Sequence, residues 1–132
     1  MRGLDTNVLV RYIAGDDTRQ TAIAERLMEQ SSRQGQPLFI PLVVLCECVW
    51  VLSRSFGQTR LEISNVLEQI LETELFRIES DSLVRRSLDA FRAGRGDFAD
   101  YLIAGICREA GCDDCVTFDR GLAGVAGFAV LR

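Results

Sequence analysis

Acidic side chains at a few marked points of this sequence are the residues best suited to chemistry. Asp5 lies in the turn GLDTN and Asp119 in VTFDRG, and each comes at the end of a short apolar run that predicts a strand. Asp97 and Asp100 begin the otherwise apolar run DFADYLIAGI, and Glu47 lies within PLVVLCECVWVLS. Carboxylates such as these can hold a hard cation or transfer protons.

Two residue types, His and Lys, are absent from the 132-residue chain, because all fifteen of its basic residues are Arg. Their absence excludes Ser-His-Asp and Cys-His nucleophile systems, a P-loop lysine and a Schiff-base lysine. It also excludes a haloacid-dehalogenase-type phosphatase and a response-regulator receiver, since both need a Lys. The phosphatase further needs an Asp where this chain has Asn7. Any enzymatic chemistry must therefore come from carboxylates, hydroxyls, thiols, Arg or a metal ion.

The net charge of −4 argues against a nonspecific nucleic-acid coat, which depends on basic residues that neutralise phosphates. Setting aside the five acids named above moves the formal charge of the remainder from −4 to +1. The acidity is therefore local, and it does not exclude a nucleic-acid substrate.

The chain has the length of one domain, so we expect a single domain over residues 1–132. No apolar run resembles a signal peptide or reaches about 18 residues, and we expect a cytoplasmic protein without a membrane span. The five cysteines are an odd number and are predicted to be reduced thiols. The CxxC at Cys112 and Cys115 lacks a second pair and a His, and we interpret it, like Cys46 and Cys48, as core or incidental thiols.

Helical and extended patterns alternate along the chain. Strands are predicted at 1–4, 37–40, 74–78, 115–118 and 128–131, and helices at 7–15, 16–33, 42–56, 59–72, 80–92 and 97–111. Pro41 is predicted at the first helical position of its helix. One face of the next helix is predicted from Leu61, Val66, Leu67, Ile70 and Leu71. The order predicts a three-layer α/β/α fold with a mostly parallel sheet of about five strands, whose ligands bind at the carboxyl ends of strands.

Asp5 and Asp119 each follow a predicted strand, at the edge where ligands bind. Residue type alone also allows Asp5 to be a helix N-cap and Asp119 to be an ordinary turn residue. Glu47 has five apolar residues on either side, which predicts a helix buried all round, with Trp50 in the core. An unpaired carboxylate buried there would cost several kcal/mol. A bound cation explains Glu47 better, unless this side chain faces a single wet spot.

Asp97 and Asp100 begin the helix that follows GRG (94–96). Asp97 suits the N-cap and Asp100 the third helical position, where an acid also suits the helix dipole. We predict that Asp97 mainly caps and that Asp100 binds, pointing to the same edge as Asp5 and Asp119. Like charges about 4 Å apart cost about 4 kcal/mol at an effective dielectric near ~20, so converging carboxylates need a cation. All-oxygen ligands select Mg²⁺ or Mn²⁺.

With these residues laid out, the chain resembles the PIN-domain family, and most closely the VapC-type toxins of bacterial toxin-antitoxin pairs. The resemblance is carried by LDTNVLV, Glu47 in an apolar helix, DFADYLIAG and VTFDRGL, in that order and over nearly the whole length. It implies a PIN-like α/β fold and an Mg²⁺- or Mn²⁺-dependent endoribonuclease, a hydrolase of RNA phosphodiester bonds.

The resemblance also implies roles for individual residues. The catalytic and metal-binding acids would be Asp5, Glu47, Asp100 and Asp119, with Asp97 as an accessory ligand. Thr6 and Thr117 match positions where a hydroxyl supports the site, and Asn7 is predicted to support it too. Arg95 and Arg120 adjoin the acidic motifs and are either phosphate contacts or ordinary surface residues. The metal would activate a water for in-line attack on phosphorus and stabilise the departing 3′ oxygen, leaving a 5′ phosphate.

The partners that the resemblance implies are an RNA substrate (tRNA, rRNA or mRNA), a second copy in a homodimer, and a cognate VapB-type antitoxin whose C-terminal segment enters the active site. One alternative is a PIN nuclease that processes RNA without an antitoxin, which the absence of a small upstream open reading frame would favour. Another is a noncatalytic PIN-like binding module. Such a module would show the loss of an acid, and none is lost here.

Overall fold

The computed structural model describes residues 1–132. Contacts between residues concentrate within two compact units, Met1–Asp81 and Ser82–Arg132. The expectation of one domain over residues 1–132 stays a prediction. None of the helices in either unit is both long and apolar enough to cross a bilayer.

The first unit alternates strands and helices. Its elements are β1 (Arg2–Gly3), α1 (Thr6–Ala14), α2 (Thr18–Arg33), β2 (Leu38–Ile40), α3 (Leu42–Arg54), α4 (Arg60–Glu72) and β3 (Phe76–Ile78). The three strands form a parallel sheet in the order β1-β2-β3, with Arg2 opposite Leu38 and Leu38 opposite Phe76. Residues that follow β1 therefore lie beyond the carboxyl edge of this sheet.

Local caps define most helix ends of the first unit. Gly15 ends α1 at φ 62°, a left-handed conformation that glycine adopts without a steric penalty. Asp17 caps α2 by accepting the Gln20 N–H through Oδ1 at 2.8 Å. Thr59 and Glu62 form a reciprocal capping box at α4. The prediction for Pro41 was wrong by one residue, because Pro41 is the N-cap of α3 and Leu42 is its first helical residue.

The core of the first unit consists of aliphatic side chains from the sheet and the helices that pack on it. Its most fully buried members are Leu9, Val10, Leu38, Ile40, Leu45, Leu52 and Leu67. On α4, Leu67 and Ile70 face inward as predicted, together with Ile63 and Ser64. Leu61 was wrongly assigned to that face, since 69% of it is exposed.

The second unit contains the other elements. They are α5 (Asp81–Ala93), α6 (Phe98–Glu109), β4 (Cys115–Thr117), a 3-10 helix (Arg120–Leu122) and β5 (Phe128–Val130). β4 and β5 pair in parallel, with Cys115 opposite Phe128 and Thr117 opposite Val130. The five predicted strands are thus present, hydrogen-bonded as a set of three and a set of two. Every pair is parallel, which confirms the α/β prediction.

Close packing between α5 and α6 positions the acidic end of α6. The Phe91 and Phe98 rings meet edge to face, with their centroids 6.1 Å apart. Gly105 lies so close to the Leu83 side chain that a Cβ atom at this position would collide with it. α6 is therefore held along its length rather than by its first turn alone.

Candidate functional site

Asp5 follows β1 and is the N-cap residue of α1. Its backbone is extended (φ −83°, ψ 160°) and its carbonyl accepts the Leu9 N–H at 3.2 Å, but its side chain makes no capping hydrogen bond. The Asp5 side chain is exposed. A role as a simple side-chain cap therefore does not account for this carboxylate, and its role as a ligand stays a prediction.

Thr6 links α1 to α3 through a side-chain hydrogen bond. Its hydroxyl Oγ1 donates to Glu47 Oε1 at 3.1 Å, and only 7% of Thr6 is exposed. A buried hydroxyl with one carboxylate acceptor orients that carboxylate. The structure thus joins Thr6 to one of the candidate acids, while Asn7 is exposed; the supporting roles of both residues stay predictions.

Glu47 is exposed, so the argument that placed a buried charge on α3 was wrong. Val43, Glu47, Trp50 and Arg54 share one face of the helix, because their spacings of four, three and four residues fall on one side. Val43 is 67% exposed and Trp50 is 60% exposed, so Trp50 was also wrongly assigned to the core. The Arg54 guanidinium carbon lies 5.8 Å from the centroid of the Trp50 ring, a cation–π contact. Glu47 is therefore the acidic residue of a solvent-exposed face that also carries apolar side chains.

Asp97 and Asp100 are tied together at the start of α6. Asp97 is the N-cap residue, and its backbone N–H donates to Asp100 Oδ2 at 2.9 Å. The two residues form a capping box. Capping is therefore shared, and the prediction that Asp97 would cap while Asp100 was left for binding divided the two roles too simply.

The pKa of Asp100 is raised above its ordinary value of 3.8. Desolvation by burial is the largest cause, and the negative charges of Asp97 and Asp119 add to it, while the hydrogen bond from the Asp97 N–H opposes it. Three acids of the second unit are therefore close enough to interact electrostatically. A cation bound to Asp100 would relieve both the repulsion and the lost hydration.

Asp119 follows β4 and begins the 3-10 helix. Its N–H donates to Thr117 Oγ1 at 3.0 Å, and its Oδ1 accepts the Gly121 N–H at 2.8 Å. Thr117 thus holds the backbone of Asp119, while Gly121 holds one carboxylate oxygen. Asp119 can be both a turn residue and a metal ligand, because Oδ1 is used in the turn and the second carboxylate oxygen is left for an ion.

The two arginines predicted to contact phosphate differ in their surroundings. The Arg95 guanidinium donates through Nη2 to the Ala123 carbonyl, so it ties the GRG segment to the chain that follows the 3-10 helix. Arg120 is the first residue of that helix and is exposed. Arg95 therefore has a structural role of its own, and contact with phosphate stays a prediction for both residues.

Tyr101 supports this region and was missed by the sequence analysis. Its hydroxyl accepts the Gly96 N–H at 3.0 Å. A Cβ atom at Gly94 would collide with the same hydroxyl and lie 2.9 Å from the Ala90 carbonyl oxygen. Tyr101 therefore shapes the GRG segment that leads into Asp97, and the two glycines followed by a tyrosine were the available signal.

The donor types present suit a hard divalent cation, since every acid discussed offers oxygen ligands. Asp5 and Glu47 lie in the first unit, whereas Asp97, Asp100 and Asp119 lie in the second. Within neither unit do three or more Asp, Glu or Cys side chains meet in an arrangement that could hold a metal ion by itself. The predicted ligand set and the prediction of Mg²⁺ or Mn²⁺ thus stay proposals that rest on donor chemistry.

The thiols beside Glu47 are structural. Burial raises the pKa of both Cys46 and Cys48, that of Cys48 to about 12. Only 1% of Cys48 is exposed. Neither residue is a thiolate at neutral pH, which agrees with their interpretation as core or incidental thiols.

Comparison with known proteins gives the family. A family model described as the PIN domain matches residues 4–128, a range that includes all five acids. The chain belongs to the PIN-domain family. It is also 32% identical over 120 residues to a VapC ribonuclease of Aquifex aeolicus (strain VF5), across 91% of this chain and 88% of that protein. The resemblance to VapC-type PIN toxins is thereby confirmed, as is the PIN-like fold class.

Proposed function

We propose that this PIN-domain protein is a metal-dependent endoribonuclease and the toxin of a toxin-antitoxin pair. The observation that carries the proposal is the likeness to a VapC ribonuclease over 91% of the chain. The acids that we assign to this activity are Asp5 and Glu47 of the first unit and Asp100 and Asp119 of the second. The bound ion, Mg²⁺ or Mn²⁺, would supply a Lewis acid and an activated water for hydrolysis of the phosphodiester bond.

Residues of the chain would bind and orient the ion rather than transfer protons themselves. Asp5, Glu47, Asp100 and Asp119 would be the ligands, and Asp97 the accessory acid. The Thr6 hydroxyl would hold Glu47 in its rotamer, as its 3.1 Å hydrogen bond suggests. The lack of His is then no obstacle, because no side chain needs to act as an acid or base.

Substrate binding would depend on few basic groups. Arg120 is exposed directly after Asp119, and Arg95 lies two residues before Asp97. A guanidinium makes bidentate contacts with phosphate that a point charge cannot, so a chain with Arg alone is equipped for this contact. The RNA class, whether tRNA, rRNA or mRNA, is left to the cleavage assay.

The partners belong to the same proposal. An apolar groove of about 230 Å³ lies between α1 and α2, lined by Asn7, Val8, Arg11, Gln20, Ile23, Ala24 and Leu27. Its mostly apolar lining would accommodate an apolar segment of an antitoxin, and Asn7 adjoins Thr6. The second partner in the proposal is another copy of this chain, in a homodimer. A cytoplasmic location, where the RNA substrates are, completes the proposal.

Asp100→Asn tests the proposed activity, with Asp89→Asn as the matched control. Asp89 is an exposed aspartate on α5, outside the acidic motifs. Purified variants would be incubated with tRNA and rRNA in Mg²⁺, in Mn²⁺ and in chelator, and product ends would be sequenced. We expect products with 5′ phosphates from the wild type and from Asp89→Asn, and no cleavage by a folded Asp100→Asn protein.

Other outcomes of this assay would contradict specific parts of the proposal. Normal cleavage by Asp100→Asn would remove Asp100 from the mechanism. A wild-type protein that binds RNA but cleaves none in any divalent ion would favour the noncatalytic module. Gene context is a separate test, because the absence of a small upstream open reading frame would favour the RNA-processing nuclease.

A further inference from the structure

Three thiols of the second unit meet where α6 ends. Cys107 lies in the last turns of α6, Cys112 follows the helix, and Cys115 begins β4. Cys115 and Cys112 both influence the pKa of the Cys107 thiol, so the three side chains lie near one another. All three are free cysteines. This cluster, here named the α6 thiol cluster, has no part in the proposed nuclease site.

A Schellman motif brings Cys107 and Cys112 together. The Cys112 N–H donates to the Cys107 carbonyl at 2.9 Å, and the Gly111 N–H donates to the Arg108 carbonyl at 3.0 Å. Gly111 has the left-handed conformation that this motif requires, with φ 91°. The side chains at the two outer positions of the motif commonly contact each other. In this chain both of those positions are cysteines.

The same hydrogen bond limits the distance between the two Cα atoms. One bond separates N from Cα of Cys112, and two bonds separate O from Cα of Cys107, so the Cα atoms lie within about 7 Å. A disulfide needs a Cα separation of roughly 4.4–6.8 Å. The hydrogen bond therefore keeps the two Cα atoms within, or close to, the range that a disulfide spans.

Exposure separates the roles of the two thiols. Cys112 is exposed and can be reached by a small oxidant, whereas Cys107 is half-buried. The hydrogen bond with Cys115, followed by burial, raises the pKa of Cys107, so this residue is held as a thiol near Cys112. The exposed Asp113 and Asp114 beside Cys112 favour a neutral oxidant over an anionic one. The arrangement of the three thiols does not suit a metal ion, and the chemistry considered for them is oxidation.

We propose that Cys112 and Cys107 are a peroxide-sensitive thiol pair that oxidises to an intramolecular disulfide. Sulfur of Cys112 attacks a peroxide oxygen, the O–O bond breaks, and the thiol proton leaves with the departing oxygen as water. Sulfur of Cys107 then attacks the sulfenic sulfur, and the S–O bond breaks. The hydroxide released takes the proton of Cys107 and leaves as a second water. Both sulfurs are oxidised, both peroxide oxygens are reduced, and a dithiol reductant reverses the change.

Peptide mapping of the full chain tests the pair. Reduced protein would be treated with hydrogen peroxide, its free thiols blocked with N-ethylmaleimide, and the protein digested with trypsin. Cleavage after Arg95, Arg108 and Arg120 places Cys107 in peptide 96–108, and Cys112 with Cys115 in peptide 109–120. We expect these two peptides to appear joined, and to separate on reduction.

Single substitutions identify the partner of Cys107. The joined peptides should persist in Cys115→Ser and in the first-unit control Cys46→Ser, and should disappear in Cys112→Ser. In Cys107→Ser, a sulfenic acid at Cys112 should be trapped by a 1,3-dione reagent. The proposal is overturned if the bridge persists in Cys112→Ser and vanishes in Cys115→Ser, if oxidation links two chains, or if peroxide leaves all five thiols free.

Discussion

Replacing Thr6 by Val removes one hydroxyl from the candidate site and keeps the shape of the side chain. In the wild type, that hydroxyl donates a hydrogen bond to Glu47 Oε1 at 3.1 Å. This bond joins α1 to the acid. If Glu47 is a ligand, its carboxylate in the variant is free to adopt other rotamers. Thr6→Ser keeps the hydroxyl and serves as the matched control.

The structure predicts a small effect on stability and a larger effect on activity. The hydrogen bond contributes about 0.5–1.5 kcal/mol, and we expect the low end because exposed Glu47 can bond to water instead. Val also replaces the hydroxyl by a methyl group at a buried position, since only 7% of Thr6 is exposed. Burial of this methyl group offsets part of the stability lost with the hydrogen bond. By contrast, removing a residue that orients a metal ligand costs about 10- to 100-fold in metal affinity or activity.

The assay therefore measures stability and metal dependence in the same proteins. Urea unfolding would give the free energy of unfolding, and RNA cleavage would be followed over a range of Mg²⁺ concentrations. We expect Thr6→Val to need more Mg²⁺ for half-maximal cleavage while Thr6→Ser behaves like the wild type. Unchanged Mg²⁺ dependence in Thr6→Val would refute the positioning role, even if the variant were less stable.

Further predictions concern stability. Because the pKa of Asp100 is raised on folding, its contribution is fully present below its ordinary value of 3.8 and is lost as pH rises through the folded pKa. Urea unfolding in metal-free buffer at several pH values should show Asp100→Asn gaining stability relative to the wild type as pH rises, and a parallel pH dependence would contradict this. Thr59→Ala, which removes the acceptor of the Glu62 N–H at 3.2 Å, should lower the free energy of unfolding by about 1 kcal/mol, with Thr59→Ser close to the wild type. Leu67→Ala, at a position that is 1% exposed, should cost about 2–5 kcal/mol in the same assay, whereas Leu61→Ala should stay within about 0.5 kcal/mol; equal losses would refute the assigned faces of α4.

Helix ends could be predicted where the backbone itself requires one residue type. Gly15 and Gly111 follow α1 and α6 with φ of 62° and 91°, conformations that favour glycine over residues with a Cβ. Thr59 and Glu62 have the spacing of a capping box, and both of its hydrogen bonds form. These signals are local, so no knowledge of the tertiary structure was needed to find them.

The start of α3 shows a signal that local sequence does not carry. Pro41 has no side-chain acceptor, and the Leu42 N–H donates instead to Glu79 Oε1 at 2.8 Å, from a residue 37 positions away. No residue close to Pro41 in the sequence indicates that Glu79 accepts this hydrogen bond. The sequence predicted a helix from residue 42, but its capping group became known only with the pairing of β2 and β3, which brings Glu79 to this helix end.

Glu47 illustrates how a prediction of burial can fail while the role proposed for the residue stays a prediction. Its apolar neighbours predicted burial, but composition cannot distinguish a helix surrounded by protein from one that leaves apolar residues in water. Val43 and Trp50 lie in water on the same face as Glu47. What does single out Glu47 is the buried Thr6 hydroxyl directed at it, and that contact joins residues 41 positions apart.

The acids at the start of α6 show that capping and binding are not alternatives. Asp100 uses Oδ2 to accept the Asp97 N–H, and this bond lowers its pKa against the opposing effects of burial and of the charges of Asp97 and Asp119. The cap therefore keeps Asp100 nearer to its ionised form than burial alone would, and it fixes the rotamer of the carboxylate. An ionised carboxylate in a fixed rotamer is what a hard cation requires of a ligand. If Asp100 is a ligand, the hydrogen bond that caps α6 would therefore also prepare its carboxylate for the ion.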